Sequence, residues 1–158
     1  MYTNSLLFCS QGSLVSIHPL HSTKLVDRVS WDKIKGDFDS DLNARLPFTD
    51  DGNRSFVYNL AHSMWGVQTL VRSCISGRKS NANKRKENQW EKNKLEPCKI
   101  KAIQNALWLR ITLANATKNL NLTSDQINVM SSHTITKAYI RKKINNIKKQ
   151  MGRQQPQK

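Results

Sequence analysis

Apolar residues recur at helical spacing in several stretches of this chain, and the polar segments between them divide it into about five helices. Phe56, Leu60 and Met64 lie at i, i+4, i+8, with Val57 and Ala61 widening the stripe. That spacing predicts a core helix capped by Ser55 and ending near Gly66. Residues 67–75 predict a short helix with Val67, Leu70, Val71 and Cys74 on one face and Gly77 as its stop. Ile100, Ile103, Leu107 and Ile111 predict another core helix, with Pro97 suited to its first position and Glu96 favouring its N-terminus electrostatically. Trp108 on this helix belongs to the core or to an interface rather than to a base-stacking platform. Thr123-Ser124-Asp125-Gln126 fits a capping box that opens a short turn through Ile127, Val129 and Met130. In the last run, residues 131–149, Ile140, Ile144 and Ile147 fall at i, i+4, i+7 while Lys137, Arg141, Lys142, Lys143, Lys148 and Lys149 occupy much of the remaining surface.

Elsewhere the pattern is weaker. The first 22 residues show no sustained period and predict at most one short strand near residues 14–17. Residues 27–46 predict a short helix interrupted at Gly36, then a turn capped by Ser40 or Asp41 that stops before Pro47. Residues 49–53 read as a turn by composition. Residues 78–94 are polar except for Ala82 and Trp90 and read as a long loop. The expected organisation is a partly disordered leader (1–24), a helical domain (25–150) and a disordered tail (151–158). The expected class is all-α: one compact domain of about five helices without a sheet, with a long basic loop and a basic C-terminal helix.

Charge changes this picture from a helical domain to one with a polar axis. The 158 residues include 26 Lys+Arg and 11 Asp+Glu, a formal net charge of +15. Residues 1–69 hold 6 basic and 7 acidic residues, while residues 70–158 hold 20 basic and 4 acidic. A near-neutral half joined to a strongly basic half points to a polyanion partner whose footprint lies in the second half.

Candidate chemistry narrows the field further. His18, His21, His62 and His133 share no metal-ligand spacing with Cys9, Cys74, Cys98 or the carboxylates, so no metal or cofactor is expected. The acidic cluster Asp37, Asp39, Asp41, Asp50 and Asp51 lacks a basic or aromatic setting that would fix metal ions, and no enzymatic activity is expected. Neither a secretory leader nor a membrane-spanning run is evident, and the expectation is a soluble intracellular protein that does not engage a membrane. Lys84-Arg85-Lys86 resembles a nuclear-import or phosphate-contact patch. Lys and Arg neutralise phosphates without choosing a sequence, whereas short polar side chains at a helix N-terminus reach base edges. Ser131, Ser132, His133, Thr134, Thr136 and Lys137 supply such groups at the start of the basic helix.

Two segments carry a family resemblance. Trp65, Leu70 and the element Ser73-x-Ile75-x-Gly77-Arg78, followed after the polar loop by Leu95-Glu96-Pro97-x-x-Ile100-x-x-Ile103, resemble the BEN domain in order and spacing. The closing run Ile135-Thr136-Lys137-Ala138-Tyr139-Ile140-Arg141-Lys142 is similar to that family's terminal signature. The resemblance spans about residues 29–146, beginning at Val29-Ser30-Trp31. Glu96 stands where the family has Asp, Ala138 stands where it has Cys, and residues 33–53 have no counterpart. The resemblance implies an all-α domain that binds double-stranded DNA through its C-terminal helix and adjoining loops, often as a dimer, in nuclear transcriptional repressors and chromatin proteins. It implies major-groove contacts among Ser132, His133, Thr136 and Lys137, and backbone contacts at Arg78, Lys79, Arg141, Lys142 and Lys143.

The leading expectation is therefore sequence-preferring DNA binding in transcription regulation or chromatin organisation in the nucleus, with a homodimer and corepressor or chromatin proteins as further partners. Two alternatives stay open: a nonspecific RNA-binding or ribosome-associated basic protein, and a helical protein-interaction module with Trp108 as anchor.

Overall fold

Pro97 opens the helix on which the other elements rest. The computed structural model describes residues 13–18, 20, 24–38, 46–75 and 93–153. In chain order they form β1 (Leu14–Ser16), β2 (Leu25–Asp27), α1 (Arg28–Phe38), α2 (Asp50–Arg72), β3 (Ser73–Cys74), β4 (Asn93–Lys94), α3 (Pro97–Lys118), α4 (Ser124–Met130) and α5 (His133–Arg153). The fold is all-α in character, as the periodicity predicts.

Helix α3 buries residues around most of its circumference, among them Ile100, Ile103, Leu107, Trp108 and Ile111. A helix apolar on so many sides must be central, and α3 packs against α1, α2, α4, α5 and β2. Trp108 lies in this core. Its C-terminus is closed by Asn119 in the left-handed region, φ 50°. The Asn115 side chain then holds both polar groups of Leu122, accepting from its N–H at 2.9 Å and donating to its carbonyl at 3.1 Å. The capping box at Thr123 forms as expected: Gln126 N–H donates to Thr123 Oγ1 (3.2 Å), and Thr123 N–H donates to Gln126 Oε1 (2.8 Å).

Helix α2 departs from expectation at its start and in how its second run closes. Its N-cap is Thr49, which accepts from Gly52 N–H at 3.2 Å, and not Ser55. The residues expected to be a turn are its first turn, with Asp50 and Asp51 favouring the helix N-terminus electrostatically. The first helical run ends at Gly66, as the apolar spacing predicts: with φ 71° and ψ 165° it is non-helical, and a second run follows across the kink to Arg72. The expected continuation to Gly77 gives way to β3, because Ser73 and Cys74 pair in parallel with Asn93 and Lys94. Gly77 lies outside the described residues, as do Ser40 and Asp41.

The other corrections are smaller. The short strand near residue 14 is present, and it pairs antiparallel with β2, Val15 opposite Val26. Strands of two or three residues carry no period, so neither sheet was visible in the sequence. Helix α1 runs through Gly36 without interruption. Asp27 caps it, its Oδ1 accepting from Ser30 N–H at 2.9 Å. Helix α5 continues to Arg153, into the tail expected to be disordered, and residues 154–158 lie outside the described ones.

One buried cation ties α2 to α3. Arg110 is only 5% exposed. Its guanidinium donates to Asn53 Oδ1 (3.2 Å), Leu46 O (2.9 Å) and Pro47 O (3.0 Å). It also stands over the rings of Phe48 and Phe56, at 4.4 and 5.1 Å from their centroids. This arrangement draws residues 46–48 so close to α2 that a Cβ built on Gly52 would lie 1.7 Å from the Pro47 carbonyl oxygen. Gly36, by contrast, has nothing within 4 Å of such a Cβ. Gly52→Ala is therefore expected to lower unfolding stability by roughly 3 kcal/mol, because backbone must move. Gly36→Ala should raise it by about 0.5–1 kcal/mol through helix propensity. Urea unfolding followed by circular dichroism measures both, and a Gly52→Ala chain as stable as the parent contradicts the close approach.

Candidate nucleic-acid interface

Helix α5 is anchored by one stripe. Thr136, Ile140, Ile144 and Ile147 are buried at i, i+4, i+8, i+11, and each isoleucine contributes on the order of 2 kcal/mol of apolar burial. Two flanks adjoin the stripe. On one, the Tyr139 hydroxyl donates to Asp50 Oδ1, and Lys143 Nζ stands 5.4 Å from the Tyr58 ring centroid, so this flank rests on α2. Burial and then the Asp50 carboxylate push the Tyr139 hydroxyl pKa well above its ordinary range.

The opposite flank gathers cations from three elements. The pKa of His133 is lowered by partial burial and then by the positive charges of Lys137 on α5 and Lys101 on α3. Lys24, just before β2, is lowered by burial and then by the same Lys101. Lys24 Nζ also stands 5.0 Å from the Trp108 ring centroid, where His18 makes an edge contact with the same ring at 5.5 Å. Lys101 thus lies within electrostatic reach of both Lys24 and His133, and Lys137 within reach of His133, which gathers three lysines around a neutral histidine beside the start of α5. Sequence reasoning missed Lys24 and Lys101. No local pattern marks them, because their nearness to α5 exists only once the strand, α3 and α5 have packed.

The residues expected to read bases are not all at the surface. Thr136 is fully buried, and its Oγ1 has no hydrogen-bond partner. It is part of the packing stripe, so its assignment as a groove contact is withdrawn. Ser131 is also buried, its hydroxyl donating to Ile127 O at 2.7 Å. Ser132 is half-buried and caps α5, its Oγ accepting from Ile135 N–H at 3.3 Å. His133, Arg141 and Lys142 are exposed, and Lys137 and Lys143 are half-buried. Thr134, Ala138, Asn145, Asn146 and Lys149 are exposed on the same helix. Arg78 and Lys79 lie outside the described residues, as does the patch at Lys84-Arg85-Lys86.

Among the described residues, no group of three or more His, Cys, Asp or Glu side chains could hold a metal ion. No described helix is long and apolar enough to cross a membrane. A cavity of about 360 Å³ opens beside Trp65 and Glu96, and none of the expected interface residues lines it. There the Trp65 indole N–H and the Lys99 ammonium both donate to Glu96 Oε2, at 2.9 and 2.6 Å. Glu96 therefore spends its carboxylate on the bend in α2 rather than on capping α3. No family model matches the chain, and no curated protein or solved structure is significantly similar to it.

Two measurements check these placements. Thr136→Val keeps the side-chain shape and removes an unpartnered buried hydroxyl, so stability is expected to rise by roughly 1 kcal/mol. A loss of stability would mean the hydroxyl has a partner. Lys137→Ala should move the His133 pKa back up toward the ordinary 6.5, as followed by NMR titration. Because the folded-state pKa is lowered, the unfolded chain binds the proton more readily. The stability contributed by neutral His133 is present above pH 6.5 and is lost as pH falls toward the lowered folded value.

Proposed function

We propose that the chain binds double-stranded DNA with α5 laid in the major groove, and that it acts in this way in transcription regulation or chromatin organisation in the nucleus. The observation that carries this reading is the pairing of a buried isoleucine stripe with an outer face bearing Arg141, Lys142 and Lys149 and no acidic residue. A helix held rigidly by one side and positive on the other suits the width of the groove and the charge of its walls. The cluster of Lys24, Lys101 and Lys137 extends the positive surface onto neighbouring elements, where a phosphate backbone flanking the groove would pass.

The BEN-domain resemblance supports the same reading. Two of its motif positions coincide with structural joints: Trp65 adjoins the bend in α2, and Leu95-Glu96-Pro97 precedes the central helix. A homodimer and corepressor or chromatin proteins as partners belong to the proposal on the strength of that resemblance.

Lys137→Ala combined with Arg141→Ala is expected to abolish the gel shift of a selected duplex at moderate salt while leaving the helical circular dichroism signal intact. In a salt titration, the double variant should flatten the log–log slope by about 2, near 0.9 for each phosphate contact removed. Parallel titrations with single-stranded DNA and structured RNA separate the alternatives. Unchanged duplex affinity in the double variant, or tighter binding of structured RNA at every salt concentration, rules the proposal out.

A further inference from the structure

We propose that the cavity beside Trp65 is a binding site for a small organic carboxylate, its apolar body laid against Met64, Trp65 and Leu95 and its charged head among Thr69, Ser73 and Lys94. No residue of α5 lines this cavity, so the proposal goes beyond the DNA-binding reading and does not rest on it. Its volume of about 360 Å³ lies at the small end of ligand sites and admits a molecule of roughly a dozen non-hydrogen atoms.

The apolar part of the lining belongs to the core. Met64, Trp65 and Leu95 are 4, 9 and 2% exposed, and a cavity that reaches such residues offers a ligand apolar surface shielded from water. One wall is the end of α2, where the break at Gly66 is followed by Thr69 and then, four residues on, by Ser73 at the C-cap. The other wall is β4 and the start of α3, which supply Lys94, Glu96 and Lys99.

The polar groups divide into those already satisfied and those left over. Glu96 and Lys99 satisfy each other at 2.6 Å, and the same carboxylate oxygen accepts from the Trp65 indole N–H. Ser73 is only 2% exposed, yet its hydroxyl makes no hydrogen bond to any described residue. A buried hydroxyl without a partner costs stability, and a ligand oxygen in the cavity would supply one. Lys94 is exposed and makes no ion pair among the described residues. Helix α3 begins at the same place with no side chain capping its first N–H groups. The groups left over are therefore donors, set at the positive end of a long helix. Two lysines and one glutamate give the lining a net charge of +1. A single negative charge suits that balance, whereas a dianionic phosphate would also meet the Glu96 carboxylate.

The test is titration of the full chain with 2-naphthoate, with its neutral amide and with acetate, followed by ¹H–¹⁵N NMR. Naphthoate should shift the Trp65 indole N–H and the amides of Thr69, Ser73 and Lys94, saturating with a Kd of about 1 mM or tighter. The amide keeps the apolar body without the charge and should bind about tenfold more weakly. Acetate keeps the charge without the body and should give no saturable shift. Ser73→Ala and Lys94→Gln should each weaken naphthoate by about fivefold to tenfold. Removing an unpartnered hydroxyl or an exposed ammonium spares the fold, which circular dichroism and the amide spectrum check. Lys142→Ala, on α5, should leave the affinity unchanged. Equal binding of the amide and the carboxylate overturns the proposal, as do shifts that follow the α5 lysines rather than Trp65. The absence of a saturable shift, or parental affinity in both cavity variants, overturns it too. None of these outcomes bears on duplex binding, which is measured separately.

Discussion

A cation buried in the middle of α3 sets the geometry on which the rest depends. Leaving Arg110 unsolvated inside a core is costly, and burial lowers its pKa from the ordinary value. The cost is offset by carbonyl and amide oxygens from Leu46, Pro47 and Asn53 and by the faces of Phe48 and Phe56. Those acceptors lie just before α2 and in its first turn, so satisfying one guanidinium fixes where α2 starts and how its N-terminus sits on α3. The consequence reaches α5. Asp50 and Tyr58 near the start of α2 receive Tyr139 and Lys143, and the basic helix takes its rotation about its own axis from that contact together with the isoleucine stripe. The positive face is aimed in part by a polar contact between two other helices, α2 and α3, on which α5 packs.

That chain of dependence separates two uses of positive charge in one molecule. Arg110 is inward, held by fixed dipoles, and contributes position. Arg141, Lys142 and Lys149 are outward, held only by the backbone beneath them, and contribute field. The first kind cannot be exchanged for lysine without losing the planar set of donors that meets several acceptors at once.

Much of the helical architecture was legible because burial and period coincide. Ile100, Ile103, Leu107 and Ile111 gave α3, the isoleucines gave α5, and Thr123 with Gln126 gave the start of α4. The failures have separate causes. Thr49 to Asn53 has turn composition, yet Asp-Asp after a threonine also suits a capped first turn, and Gly52 is there for the nearness of Pro47, which only the folded chain reveals. Gly66, by contrast, is legible as the break between two helical runs, because the apolar period restarts beyond it. Thr136 is polar and so suits a groove contact by type, yet it sits four residues before Ile140 on the stripe, and its period places it inward. Lys24 and Lys101 had no signal at all, since a cluster assembled from three elements leaves no mark on any one of them.

The placement of charge along α5 bears on why this helix is basic. Cations in the last turn, such as Arg153, are favoured by the helix dipole and would suit any solvated helix. Acidic residues are favoured at a helix start, and α5 has none in its first turn and carries Lys137 in its second. Lys101 brings a further positive charge nearby, and the pKa of His133 is depressed by burial first and then by the charges of Lys137 and Lys101. Stability of the isolated chain would be served better by aspartate or glutamate at these positions. An arrangement that stability disfavours, at the end of the helix where the dipole adds to the positive field, is one that an anionic partner would relieve.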